Sequence, residues 1–292
     1  MQLVITDSGL GGLSVCAEVE RRLRGPRQPR DVRITYVNAW PAEGIGYNDL
    51  PDSASRAGMF DRALASIDRL QPDRVLVACN TLSILYGLTV HSRTTSIPVL
   101  GIVDAGVNLF HAALEAESAS SLVMFGTRIT IDSGVHRARL IEKGIDPRRI
   151  TAVSCHGLAL AIETNPDGPA VRDLIETCTA RACEADPAGN PLCLGLCCTH
   201  YTYVREDMRS VLARQSGRTV HVLDPNDRLV TDLLSRMETA RAGATGGAVT
   251  VTVMSKVKLD DDKRRTMAKR IEPVSALTAA ALLSYTRVPD LF

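Results

Sequence analysis

Two apolar runs in this chain end in the same abrupt way. Leu194-Gly195-Leu196-Cys197-Cys198-Thr199-His200-Tyr201 closes on a thiol, a hydroxyl and an imidazole before amphipathic helical spacing begins. Far upstream, Val75-Leu76-Val77-Ala78-Cys79-Asn80-Thr81 does the same. Each reads as a buried strand that delivers a cysteine to the turn opening the next helix. In open α/β sheets, ligands sit where strand C-termini meet helix N-termini. Two such turns therefore constrain the fold and the place of a site together.

The remaining chain carries the same alternation. A strand at 2–6 runs into the glycine-rich turn Asp7-Ser8-Gly9-Leu10-Gly11-Gly12, and Leu13, Val15, Val19 and Leu23 mark a helix stopped by Gly25-Pro26. Further strands are predicted at 32–37, 97–103, 122–125, 150–153, 219–223 and 249–254. Helices fall between them, with a small-residue break at 243–247 and an alanine-rich helix near 276–284. Strands alternating with helices throughout predict an α/β protein with parallel sheets.

The chain also repeats itself. Asp7 to Cys79 and Gly126 to Cys198 each span 72 positions, and Arg33-Ile34-Thr35-Tyr36-Val37 is echoed by Arg149-Ile150-Thr151-Ala152-Val153. Two α/β halves related by a pseudo-twofold follow from these offsets, with a thiol at the matching strand end of each. The expected division is 1–95 plus 210–292 as one domain and 96–209 as the other.

Composition narrows the function. At 292 residues and 45% apolar the chain can bury two cores, and a formal charge of +1 with 4% aromatics argues against nucleic acid. No segment has the length of a membrane span, and no secretory leader is recognisable, so a cytoplasmic protein is expected. The 8 cysteines then read as reduced thiols. Cys155, Cys178 and Cys183 are expected to be packing residues. A metal site built from Cys193, Cys197, Cys198 and His200 lacks the Cys-x-x-Cys spacing of structural zinc sites, and adjacent strand residues point to opposite faces. No metal and no cofactor are expected.

Chemistry is concentrated at the two thiols. Either alone reads as well as a core cysteine; the matched pair, each followed by hydrogen-bonding residues, points to function. An ordinary thiol has a pKa of about 8.5 and would be helped to ionise by a helix N-terminus. Asn80-Thr81 and Thr199-His200 add donors beside each, and backbone amides at helix starts suit a carboxylate ligand.

Together, Asp7-Ser8-Gly9-Leu10-Gly11-Gly12-Leu13-Ser14-Val15, Ala78-Cys79-Asn80-Thr81 and Cys198-Thr199-His200-Tyr201 resemble the cofactor-independent aspartate/glutamate racemase superfamily, and most of all its glutamate racemase branch. The resemblance extends through Gly126-Thr127, Ser133-Gly134 and the stretch from Cys155 to Glu163. It implies two α/β domains with the active site in the interdomain cleft, a small amino-acid substrate and no membrane or nucleic-acid partner; a homodimer is left open. It implies that Cys79 and Cys198 act as two bases on opposite faces of the α-carbon, Cys79 on the D-substrate and Cys198 on the L-substrate. By the same resemblance Asp7 partners Cys79, and Glu163 and His200 partner Cys198. Ser8, Asn80, Thr81, Thr127 and Thr199 fall at substrate-binding positions, with Tyr47 and Asn48 in a substrate-contacting loop. That loop departs from the family pattern: Gly46-Tyr47-Asn48 stands where Pro-Tyr-Gly is usual, and Cys197 stands where a glycine usually precedes the second cysteine. L-Glutamate to D-glutamate, for bacterial cell-wall synthesis, is the first expectation. The alternatives are racemisation of aspartate or another amino acid, a decarboxylase of the superfamily, or a non-catalytic binding protein on this scaffold.

Overall fold

A computed structural model describes residues 1–24, 31–186, 191–238 and 247–292. The helix stop at Gly25-Pro26 and all but Gly247 of the break at 243–247 lie outside the described residues. The chain divides into two compact units, Met1–Ile102 with Leu229–Phe292, and Val103–Arg228.

The first unit holds a six-stranded sheet. Its strands are β1 (Gln2–Asp7), β2 (Val32–Asn38), β3 (Arg74–Val77), β4 (Val99–Gly101), β9 (Val249–Ser255) and β10 (Thr286–Arg287), in the order β10-β9-β2-β1-β3-β4. The second unit holds β5 (Ser121–Gly126), β6 (Ile150–Ser154), β7 (Leu192–Cys197) and β8 (Val220–Leu223), in the order β6-β5-β7-β8. All the pairings are parallel. A parallel strand is covered on both faces and needs continuous apolar sequence. β5 and β7 are accordingly buried along their whole lengths.

The repeat is visible in the topology. The order β2-β1-β3-β4 within the first sheet is the order β6-β5-β7-β8 of the second. β1 pairs with the strand that leads to Cys79, placing Thr6 opposite Val77. β5 pairs with the strand that leads to Cys198, placing Gly126 opposite Cys197.

Three features differ from the sequence expectation. The segment 210–228 belongs with the second unit, because β8 pairs with β7 and adds a strand to that sheet. The stretch after β4 turns helical at Ile102, so the strand expected at 97–103 is only Val99–Gly101. The segment 96–102, expected in the second domain, belongs with the first unit, because β4 pairs with β3.

Candidate active site

Cys79 stands two residues past the end of β3 and is the N-cap residue of the short helix Asn80–Tyr86. Beside it β1 ends in Asp7, which is buried and accepts a 3.0 Å hydrogen bond from the Gly9 N–H. The turn after Asp7 needs Gly12, since a Cβ there would stand 2.8 Å from the Asp7 side chain. Tyr36 pins the turn by donating from its hydroxyl to the Gly9 carbonyl at 2.6 Å. Ser8 Oγ then lies 3.2 Å from Cys79 Sγ. The two residues are 71 positions apart in sequence, and the β1–β3 register brings them together.

The electrostatics of Cys79 differ from the sequence expectation. Burial first, and the Asp7 carboxylate second, push its thiol up to about 12, against lowering bonds from Ser8 and the Leu82 N–H. The start of the helix helps, but not enough, because removing a thiolate from water costs more than one backbone donor returns. Cys79 is therefore a thiol at neutral pH, in the form that donates a proton.

Among the polar atoms buried without a hydrogen-bond partner are both polar side-chain atoms of Asn80, the residue after Cys79, together with the Tyr47 hydroxyl and Asn48 Oδ1. Tyr47 belongs to this neighbourhood, since burial first and then Cys79 raise its phenol. Buried polar groups are ordinarily paired, so these donors and acceptors are suited to a polar ligand. The Tyr47 loop is held by an Asp49 carboxylate that accepts from the Gly46 N–H at 2.7 Å, and by Arg56 donating to the Tyr47 and Leu50 carbonyls.

Cys198 has a different partner set. Its Sγ is 3.7 Å from His200 Nδ1, and His200 Nε2 is 2.7 Å from Glu163 Oε1. Burial favours the neutral imidazole, but the contacts with Cys198 and Glu163 outweigh it and hold His200 well above the usual histidine range. Glu163 comes from the helix Leu158–Thr164, so this triad is assembled by tertiary packing of two segments. Thr199 is buried at the start of the turn Thr199–Val204, and Thr81 is buried in the helix after Cys79. Thr127 follows β5 and caps the helix Arg128–Asp132, its Oγ1 accepting from the Thr130 N–H at 3.4 Å.

The structure thus brings Asp7, Ser8, Tyr47 and Cys79 together in one unit, and Glu163, Cys198 and His200 in the other. Sequence reasoning missed Tyr36, Asp49 and Arg56, which hold the two loops. Gly46 and Asp49 sit at the ends of one short turn, and that spacing was the available signal. Cys155 and Cys178 are buried as expected, whereas Cys183 is only partly covered. Among the described residues no group of three or more His, Cys, Asp or Glu side chains could hold a metal ion, and no helix is long and apolar enough to cross a membrane.

Each parallel sheet delivers a buried thiol with ionisable neighbours, and comparison with known proteins gives the class, an isomerase of the racemase type. The profile of the Asp/Glu/Hydantoin racemase family matches residues 4–233. A glutamate racemase of Aquifex pyrophilus is 29% identical over 239 residues, covering 80% of this chain and 82% of that protein. The structure of glutamate racemase from Francisella tularensis in complex with D-glutamate superimposes with a TM-score of 0.71 at 19% identity, covering 93% of each chain. That from Campylobacter jejuni does so with a TM-score of 0.68 at 19% identity, covering 93% of this chain and 98% of the other. The chain belongs to the Asp/Glu/Hydantoin racemase family.

Proposed function

We propose that this racemase interconverts L- and D-glutamate by moving protons between its two thiols and the substrate α-carbon, without a cofactor. The observation that carries the reading is the matched placement of Cys79 and Cys198, each following the corresponding strand of one repeated strand order. One thiolate removes the α-proton from one face while the opposite thiol gives its proton to the other. The electron pair freed at the α-carbon takes up that second proton, and the roles of the two sulfurs are exchanged for the reverse reaction. Without an electron sink the developing negative charge has to be met by preorganised donors. Ser8, Asn80, Thr81 and Thr199 are the groups offered for the carboxylate and ammonium of the substrate.

The two thiols are unlike in a way that suits this division. Cys79, beside a carboxylate and a hydroxyl, rests protonated and serves as donor to a substrate attacked from the Cys198 side. Cys198 has His200 and Glu163 through which a proton can be passed. Glutamate is favoured by the glutamate racemases at 25–29% identity to this chain. On that reading the product is the D-glutamate used in bacterial cell-wall synthesis.

The direct test follows α-proton exchange of amino acids in deuterated water by proton NMR. Glutamate is expected to exchange and racemise, with deuterium appearing at the α-carbon of early product and not in unreacted substrate. Exhaustive chelation should leave the rate unchanged. Exchange of another amino acid in place of glutamate would change the substrate, and activity lost to chelator and restored by zinc would remove the thiol-only mechanism.

Tyr47 and Asn48 are expected to contact the substrate side chain. Exchange of the whole loop for Pro-Tyr-Gly is ruled out as a test, because a proline at 46 would remove the donor to Asp49 and bring atoms against the Trp40 ring, 3.0 Å from a Cβ at that position. Asn48→Gly and Tyr47→Phe leave those contacts alone. Each should change the glutamate-to-aspartate ratio of kcat/KM by about tenfold, the value of roughly one buried hydrogen bond, with little change in Tm. An unchanged ratio in both would place the side-chain pocket elsewhere.

A further inference from the structure

We infer that Asp224 and Asn226 are positioning residues that clamp the turn Thr199–Val204 and thereby aim the His200 imidazole at Cys198 and Glu163. The turn begins at Cys198 without any side-chain cap of its own. A single 3.1 Å bond from the Tyr201 N–H to the Cys198 carbonyl closes its first step. A short 3₁₀ segment has poorer hydrogen-bond geometry than an α-helix, so the direction of a side chain on it depends on anchors outside it.

Those anchors come from the segment after β8. The β7–β8 register sets Gly195 opposite Leu223, so the chain leaves β8 close to the end of β7 where Cys198 emerges. Asn226 Nδ2 donates to the Thr199 carbonyl at 3.3 Å, in a buried bond one residue from His200. Asp224 accepts from the Thr202 hydroxyl, and it also accepts from the Asn226 N–H at 3.0 Å, which ties the two clamping residues to each other. Arg205, the first residue of the next helix, lies 3.7 Å from the same carboxylate and 3.9 Å from Asp227. Burial pushes the Asp224 carboxyl up to about 6, so at neutral pH it is the ionised, stronger acceptor. On the other side of the turn, the Tyr201 hydroxyl donates to the Cys155 carbonyl at 3.3 Å. The bonds from Asp224 and Asn226 bracket His200 at positions 199 and 202. Capping the helix Pro225–Glu238 accounts for the bond to the Asn226 N–H but not for these two.

The kinetic side of this inference rests on the proposed racemase reading; the spectroscopic side does not. In full-length protein with ¹⁵N-labelled histidine, the His200 signals are assigned by their loss in His200→Asn, and the ring is titrated in wild type, Thr202→Val and Asn226→Ala. Wild-type His200 is expected to titrate above the ordinary range. Both variants should bring its midpoint down, and kcat should fall about tenfold with KM within about threefold, since a misplacement near 1 Å can cost as much as about 10². Thr202→Ser keeps the hydroxyl and should recover most of what Thr202→Val loses. Variants that lower Tm yet leave the His200 midpoint and kcat at their wild-type values would overturn the clamp. A wild-type protein that exchanges no amino-acid α-proton would remove the function reading, while the titration would still decide whether Asp224 and Asn226 set the imidazole.

Discussion

Replacing Cys198 by serine is expected to lower kcat/KM at least about 10³-fold, because a serine hydroxyl is far too weak an acid and base to substitute for a thiol in a step where general acid–base catalysis is worth about 10²–10⁴. The equilibrium constant of a racemisation is unity, so the fall must be equal in the L-to-D and D-to-L directions. The direction is visible in isotope effects instead. With Cys198→Ser, α-deuterated L-glutamate should show the larger substrate effect, since the damaged group now removes the proton. From D-glutamate the damaged group delivers a solvent-derived proton, and the larger effect should appear on moving to deuterated water. Cys79→Ser should show the opposite pattern. The serines are nearly isosteric with buried thiols, so both variants should remain folded, which circular dichroism checks. Near-wild-type activity in either variant, or product that keeps most of the α-protium of its substrate, would mean one base serving both faces.

Glu163→Gln is expected to produce the second-largest loss, about 10²-fold in kcat, with a distinct signature in pH. Glu163 Oε1 is 2.7 Å from His200 Nε2, both groups are mostly buried, and His200 is held above the usual range despite its burial. A histidine raised in the folded state contributes stability that is fully present below its unfolded value of about 6.5 and is lost as pH rises through the folded value. The Tm gap between wild type and Glu163→Gln should therefore be widest below about pH 6.5 and narrow as pH rises through the folded His200 titration. A gap that is flat in pH, or that widens toward alkaline pH, would show that the pair is not a charged one.

Much of this protein was legible in its sequence because the deciding signals are local. An apolar run followed by Cys-Asn-Thr or Cys-Thr-His declares a strand end and a turn within a few residues. The two 72-residue spans declare a repeat, and both sheets carry it in the same strand order. The side-chain period and the turn chemistry that produce these elements act over one or two turns of chain. They are written wherever the residues are.

Tertiary structure decided the rest, through interactions that no local pattern encodes. That 210–228 joins the second unit depends on β8 finding an edge beside β7, since the same apolar strand could extend either sheet. β10 is two residues long and exists only because β9 offers it an edge. Cys79 carries the sequence marks of an activated thiol, but its burial against Asp7 raises it instead; desolvation is a property of everything packed around a group. Gly46 looks replaceable by proline until the Trp40 ring and the Asp49 carboxylate are seen beside it. Asp224 and Asn226 read as an ordinary helix start. Only the register of β7 with β8 carries them to the turn that bears His200, and with it their hold on the imidazole.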